Sequence, residues 1–237
     1  MLLKKLIENC PQRLSTIKVK GLSSDTRKLK KGELFFALRG SNNNGENFIK
    51  EAVKRGACAI VSSKEIRGNR KVVKVKNVRE ILGKICSKFY FNKPKNIIAV
   101  TGTNGKTSVA DFFHQIFTLN NLPVASIGTL GIKSKTVKRI KLTTLDVISL
   151  HKELKNIKKK KIENVILEAS SHGLTQGRLN GLNIKAGIFT NFSQDHIDYH
   201  KSMKKYFEAK MILFEKILKK NSYIITDKNI PEFKILK

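Results

Sequence analysis

The chain has 237 residues with 48 Lys and Arg against 18 Asp and Glu, a formal charge of +30, and that length suits two compact units better than one. Its 40% hydrophobic content is enough to bury a core, which excludes a disordered chain. The charge first suggests nucleic acid, because basic surfaces gain affinity by displacing counterions from phosphates, but the lysines are spread through nearly every segment and argue against a nucleic-acid partner.

Met1 to Cys10 is apolar but interrupted by Lys4, Lys5 and Glu8, too short for a secretory segment, and no later run approaches membrane-spanning length. Cys10, Cys58 and Cys86 are widely spaced and odd in number, which argues against a disulfide framework or a zinc site. A cytoplasmic protein with reduced thiols and no membrane partner is expected. Leu34 to Leu38 reads as a buried strand ending at Gly40, followed by the polar loop Ser41 to Asn47. A helix from about Phe48 to Arg55, strands at Ala57 to Val61 and Val72 to Val75, and a helix from Val78 to Phe91 follow. Asn92-Lys93-Pro94-Lys95 breaks the pattern, so the domain boundary is expected there, with units 1–93 and 94–237.

Beyond the boundary, strands at Ile97 to Val100, Val124 to Ile127, Val165 to Leu167, Ala186 to Phe189 and Tyr223 to Ile225 are expected. They alternate with helices at Ser108 to Asn121, Val147 to Lys158 and Ser202 to Leu218. Such alternation predicts an α/β fold with a mainly parallel sheet covered by helices, and ligands in such sheets sit at the carboxyl ends of the strands. The densest basic run, Lys158 to Lys161, reads as the solvated end of a helix.

The run Ile97-Ile98-Ala99-Val100 leads directly into Thr101-Gly102-Thr103-Asn104-Gly105-Lys106-Thr107-Ser108 and then into a helix carrying Val109, Phe112, Phe113, Ile116 and Phe117. That is the context a phosphate loop needs: glycines let backbone N–H groups close on phosphate oxygens, and a helix N-terminus adds favourable partial charge. Lys106 is placed to reach phosphates and Thr107 a magnesium ion. The strict pattern GxxxxGK[ST] asks for Gly where this chain has Val100.

Glu168 ends the apolar run Val165-Ile166-Leu167, at the strand end where a carboxylate suits magnesium, although a helix-capping acid reads equally well. His196 and His200 are spaced for zinc on a helix but lack a third soft ligand. Lys210 falls on the stripe formed by Met203, Phe207, Leu213, Phe214 and Ile217. An inward ammonium is costly unless paired or neutralised, so either its stem packs and the amine reaches solvent or the site has a special use for it.

Taken together, the TGTNGKT loop, Glu168-Ala169-Ser170-Ser171-His172-Gly173-Leu174, Phe189-Thr190-Asn191, Asp195-His196-Ile197-Asp198-Tyr199-His200 and Tyr206-Phe207-Glu208-Ala209-Lys210 resemble the ordered motifs of the Mur ligases. Their form is most similar to the tripeptide-synthetase branch, from about Gly21 to the chain end. The resemblance implies a small N-terminal UDP-sugar-binding α/β domain followed by a P-loop-type ATP-binding domain. It also implies a C-terminal domain beyond this sequence, without which the chain binds substrates but does not ligate them. The cofactors it implies are ATP and Mg2+. Nucleotide contacts fall to Gly102, Thr103, Asn104, Gly105, Lys106, Thr107 and Ser108, with Asn191 on the adenine side. Metal binding falls to Thr107, Glu168, His196 and Lys210, the lysine as a carbamate; with Lys106, the last three form the implied catalytic set.

Muramyl-peptide contacts are implied for Thr143, Thr144, Ser170, Gln176 and Arg178. In the first unit, Ser24-Asp25-Thr26-Arg27 and Gly32 to Gly40 resemble the uridine-nucleotide motifs, which places Thr26, Ser41, Asn42 and Asn43 around uracil. Thr26 stands for the family's usual Ser, and Leu145 for the Pro of its T-T-P-D. The implied reaction joins an amino acid, diaminopimelate or lysine, to UDP-N-acetylmuramoyl-L-alanyl-D-glutamate through an acyl phosphate, in a monomer. Two rivals differ in their tests: a pentapeptide-forming or folylpolyglutamate synthetase, the latter needing no uridine domain, and a basic P-loop ATPase stimulated by nucleic acid.

Overall fold

The computed structural model describes every residue except Ser41, Asn42, Arg67 and Lys237. The chain forms two compact units, Met1–Phe91 and Asn92–Lys237. In the first, the strands β1 (Gly21–Ser23), β2 (Glu33–Phe36), β3 (Ala59–Ser62) and β4 (Val72–Lys74) make a parallel sheet in sequence order. Its central strands are continuous apolar runs because both faces are covered, as buried parallel strands require: Leu34, Phe35, Phe36, Ala59, Ile60 and Val61 are all buried. The helices α1 (Leu3–Leu6), α2 (Ile49–Lys54) and α3 (Val78–Phe89) complete the unit. Asn77 caps α3 by accepting the N–H groups of Arg79 and Glu80. The helix expected from Phe48 begins as a 3-10 turn at Gly45–Phe48, because the Asn44 side chain takes the Glu46 N–H and tightens the entry. The short strand β1 was outside the sequence reading; three residues carry no usable period.

The second unit holds a seven-stranded sheet of order β11-β10-β5-β9-β6-β7-β8. Its strands are β5 (Asn96–Thr101), β6 (Val124–Gly128), β7 (Gly131–Lys133), β8 (Val137–Lys138), β9 (Asn164–Glu168), β10 (Ala186–Phe189) and β11 (Tyr223–Thr226). The five strands β11, β10, β5, β9 and β6 are mutually parallel, and β7 and β8 add an antiparallel edge absent from the sequence expectation. The helices are α4 (Lys106–Leu119), α5 (Val147–Lys159), α6 (Ser171–Thr175), α7 (Ile197–His200), α8 (Met203–Ile212) and α9 (Phe233–Leu236). Ile97, Ala99, Val165 and Leu167 face one core layer, while Val100 and Ile166 face another with Ala110 of α4. Among the described residues no helix is long and apolar enough to cross a membrane.

Register sets the site. Val100 pairs with Glu168 across β5 and β9, and Thr101 pairs with Phe189 across β5 and β10. The turn after β5, the carboxylate ending β9 and the residues following β10 therefore emerge together at one carboxyl edge.

Two apolar patterns differ from expectation. In α4 only one stripe reaches the sheet, so Phe112 and Ile116 are 60% and 58% exposed. The helix read as Ser202 to Leu218 ends at Ile212 and widens into a π-turn at Leu213–Ile217. Met203, the first residue of α8, lies exposed, and the buried side chains of α8 are Tyr206, Ala209, Lys210 and Met211. The basic run at 158–161 does end a helix: Lys158 pairs with Glu163, and Lys159, Lys160 and Lys161 are solvated.

Candidate functional site

The phosphate loop leaves β5 through Gly102, whose φ of +146° and surroundings both demand glycine: a Cβ there would lie 1.9 Å from Thr190 Oγ1. Gly105, at φ +82°, turns the chain into the first residue of α4. The residues after β10 hold the loop from the side. Thr190 Oγ1 donates to the Asn104 carbonyl at 2.6 Å, Asn191 accepts the Thr103 N–H on its carbonyl and the Asn104 N–H on Oδ1, both at 2.9 Å, and the Ser193 N–H donates to Thr103 Oγ1 at 3.0 Å. Lys106 Nζ folds back to the carbonyls of Gly102 and Thr103 at 3.0 and 2.7 Å. Burial lowers the Lys106 amine from its ordinary pKa, with Glu168 and Asp195 opposing.

Glu168 is 2% exposed. Its Oε2 accepts from the hydroxyls of Thr107 at 2.9 Å and Thr129 at 3.1 Å, and its Oε1 accepts the Thr129 N–H at 2.8 Å. Space for this carboxylate exists because residue 128 is glycine; a Cβ there would fall 2.0 Å from Oε1. Beside it lies a cavity of about 10 Å³ lined by Thr107, Asp111, Ser126, Gly128 and Glu168, room for about one water-sized guest. A hard cation such as Mg2+ favours oxygen ligands and keeps part of its water, and the Thr107 hydroxyl with the Glu168 carboxylate fits it.

Lys210 is 1% exposed and points inward. Its Nζ donates to the Gly102 carbonyl at 2.7 Å and sits 4.0 Å from the centre of the Tyr206 ring. Burial first, and the nearby Lys106 second, lower its amine from 10.5 to about 7. Tyr206 also reaches Thr103 Oγ1 with its hydroxyl at 3.4 Å. His196 is exposed; its Nε2 lies 3.4 Å from Asp195 Oδ2 and its ring packs edge-on to His172 and Tyr206. Lys210 and the His196 side chain thus gather around Tyr206, while Thr107 and Glu168 meet directly. Among the described residues no three His, Cys, Asp or Glu side chains converge as a metal cluster.

The residues implied for the muramyl peptide form one polar group. Thr144 Oγ1 donates to the main-chain carbonyl of Glu168 at 2.8 Å, accepts the Ser170 N–H at 3.0 Å and lies 3.0 Å from Ser170 Oγ, which caps α6. Arg178 donates to the Thr144 carbonyl at 2.5 Å and to Gln176 Oε1 at 2.7 Å. Thr143 Oγ1 is 3.2 Å from Thr129 Oγ1. Thr144 is buried and spends its hydroxyl inside the protein. In the first unit Thr26 is buried and donates to Glu51 at 2.9 Å, Asn43 is exposed, and Ser41 and Asn42 lie outside the described residues. Sequence reasoning gave no role to Thr129, Gly128, Thr190, Ser193 or Tyr206; only Thr190 and Tyr206 carried a signal, by falling inside recognised motifs.

The description "Mur ligase middle domain" matches residues 100–236, and "Mur ligase family, catalytic domain" matches residues 18–90. A UDP-N-acetylmuramoyl-L-alanyl-D-glutamate–2,6-diaminopimelate ligase of Rickettsia montanensis is 40% identical over 235 residues, covering 97% of this chain and 49% of that protein. The ligase of the same name from Brucella melitensis biotype 1 is 40% identical over 219 residues, 91% of this chain and 45% of that protein. The chain spans about half the length of the curated relatives it matches. A solved structure of a ligase of that same name is similar over 100% of this chain and 49% of its own, with a TM-score of 0.84 at 30% identity. A MurF ligase from Thermotoga maritima in complex with ADP shares the fold, with a TM-score of 0.62 at 19% identity over 92% of this chain and 48% of its own. With one family description covering more than half of its residues and the glycine loop, Glu168 and Lys210 assembled at one sheet edge, the chain belongs to the Mur ligase family.

Proposed function

We propose that this chain carries the nucleotide- and acceptor-binding parts of an ATP-dependent ligase of peptidoglycan synthesis. That enzyme joins diaminopimelate or lysine to the D-glutamyl carboxylate of UDP-N-acetylmuramoyl-L-alanyl-D-glutamate. It works in the cytoplasm as a monomer. The names of its relatives support this substrate, and the observation that carries the reading is the hydrogen bond from Thr107, in the first turn after the glycine loop, to the buried Glu168.

In this reading Lys106 and the first amides of α4 take the phosphates. Thr107 and Glu168, with His196 and Lys210, would hold magnesium, which when bound would offset charge developing on the phosphoryl oxygens. An acceptor carboxylate oxygen attacks the γ-phosphorus and ADP leaves, giving an acyl phosphate; the incoming amine then attacks the acyl carbon, inorganic phosphate departs and the amine releases a proton. The chain supplies position and charge rather than a covalent nucleophile. Thr143, Thr144, Ser170, Gln176 and Arg178 orient the acceptor, Asn191 lies on the adenine side, and Thr26 and Asn43 serve the uridine. A Lys210 amine with a pKa of about 7 is half unprotonated at that pH, so its lone pair is free to attack CO2, giving a carbamate and a proton and turning a buried cation into an anion beside Lys106.

Thermal unfolding with ligands tests the reading, since a ligand selective for the native state raises the melting temperature. UDP-N-acetylmuramoyl-L-alanyl-D-glutamate and ATP with Mg2+ are each expected to raise it. A shift with duplex DNA and none with the UDP-sugar would overturn the assignment.

A further inference from the structure

We propose that Thr129 is a positioning residue that aims the Glu168 carboxylate toward the magnesium ion and ties it to the loop carrying Thr143 and Thr144, here the acceptor loop; this rests on the nucleotide reading above. Thr129 follows the last residue of β6 and addresses both carboxylate oxygens at once, its N–H on Oε1 at 2.8 Å and its hydroxyl on Oε2 at 3.1 Å. Two donors from one residue fix the plane of the carboxylate as well as its place. With Thr107 at 2.9 Å, the group has three neutral donors. They satisfy the lone pairs that burial would otherwise leave costly, yet none of them neutralises the charge. The arrangement orients an anion while leaving its charge available to a cation, which is what a metal ligand needs from the groups around it.

The same hydroxyl reaches further. Thr129 Oγ1 has a single proton, and with that proton given to Glu168 the 3.2 Å contact to Thr143 Oγ1 must be donated by Thr143. The next residue, Thr144, donates to the main-chain carbonyl of Glu168 at 2.8 Å. Adjacent residues of the acceptor loop thus hold Glu168 at both ends, one through Thr129 and one directly, so the carboxylate and the loop shift together. Thr129 itself is exposed, so no core packing accounts for its contacts.

Calorimetric titration of ADP with and without Mg2+ tests this on the whole chain. Thr129→Val keeps the backbone N–H and the branched Cβ but deletes the hydroxyl; it is expected to cut the Mg2+-dependent gain in ADP affinity about 10- to 100-fold, the usual effect of losing a group that orients a metal ligand. Metal-free ADP affinity stays as in the wild type, and Thr129→Ser retains the Mg2+ gain. If Thr129→Val and Thr129→Ala both keep the wild-type gain, the proposal is overturned. It is equally overturned if both weaken ADP alike with and without Mg2+, the mark of a merely structural contact. A wild-type chain that binds no ADP under either condition refutes the nucleotide reading itself and takes the proposal with it.

Discussion

The Lys210 amine sits 1% exposed against a neutral carbonyl, with Lys106 as a nearby like charge. A group whose folded pKa, about 7, lies below its unfolded value near 10.5 binds fewer protons in the folded state between those limits. Stability then rises with pH across that window and falls back as pH drops to 7, below which the full cost of the buried cation is present. In buffer free of bicarbonate and metal, Lys210→Met is expected to flatten this rise and to be the more stable protein at pH 7 and below. Urea unfolding at several pH values measures it; parallel curves for the two proteins would show that the amine is not buried as a cation. The inward position was legible from the apolar spacing around it. Its companion Tyr206, one turn before Lys210 in α8, lies on the same face, but spacing alone does not show that its ring stacks under the amine.

At the level of elements, the phosphate loop was legible because strand, glycine turn and helix are contiguous and each local preference agrees with the others. The clamp on Glu168 was not, since Thr129 and Glu168 are 39 residues apart and no local period encodes a meeting between the ends of two strands. The same holds for the threonine, asparagine and serine after β10 that grip the loop: Thr190 and Asn104 are 86 residues apart. Gly128→Ala examines this edge. An added Cβ 2.0 Å from Glu168 Oε1 must push the carboxylate aside, so stability falls by about 1–3 kcal/mol, as in other overpacked sites, and the Mg2+-dependent part of nucleotide binding is lost. An alanine variant with an unchanged Mg2+ response would mean that the carboxylate position is not what the cation reads. The β7–β8 edge escaped the sequence reading because two- and three-residue strands are too short to show alternation.

Over the whole molecule, a charge of +30 on 237 residues opposes compaction through self-repulsion. Ion pairs such as Arg55 with Glu51 and Lys84 with Glu80 are exposed and offset little of it. Raising salt from about 0.01 M to about 0.15 M shortens the screening length from about 30 to about 8 Å, so the melting temperature is expected to rise over that range in scanning calorimetry. A fall would show that attractive surface pairs outweigh the excess charge. Composition announced the charge but not its meaning; the fold separates a solvated lysine surface from a small functional set at one sheet edge, where Lys106 and Lys210 are the lysines drawn inward. The most direct test of that edge as a nucleotide–metal site is a crystal structure of the chain with ADP and Mn2+ in place of Mg2+, located by its anomalous scattering. A Mn2+ peak is expected within coordination distance of the Thr107 hydroxyl and the Glu168 carboxylate, with the ADP phosphates in the loop of residues 102–108. Nucleotide bound elsewhere, or Mn2+ bound away from Glu168, would contradict it.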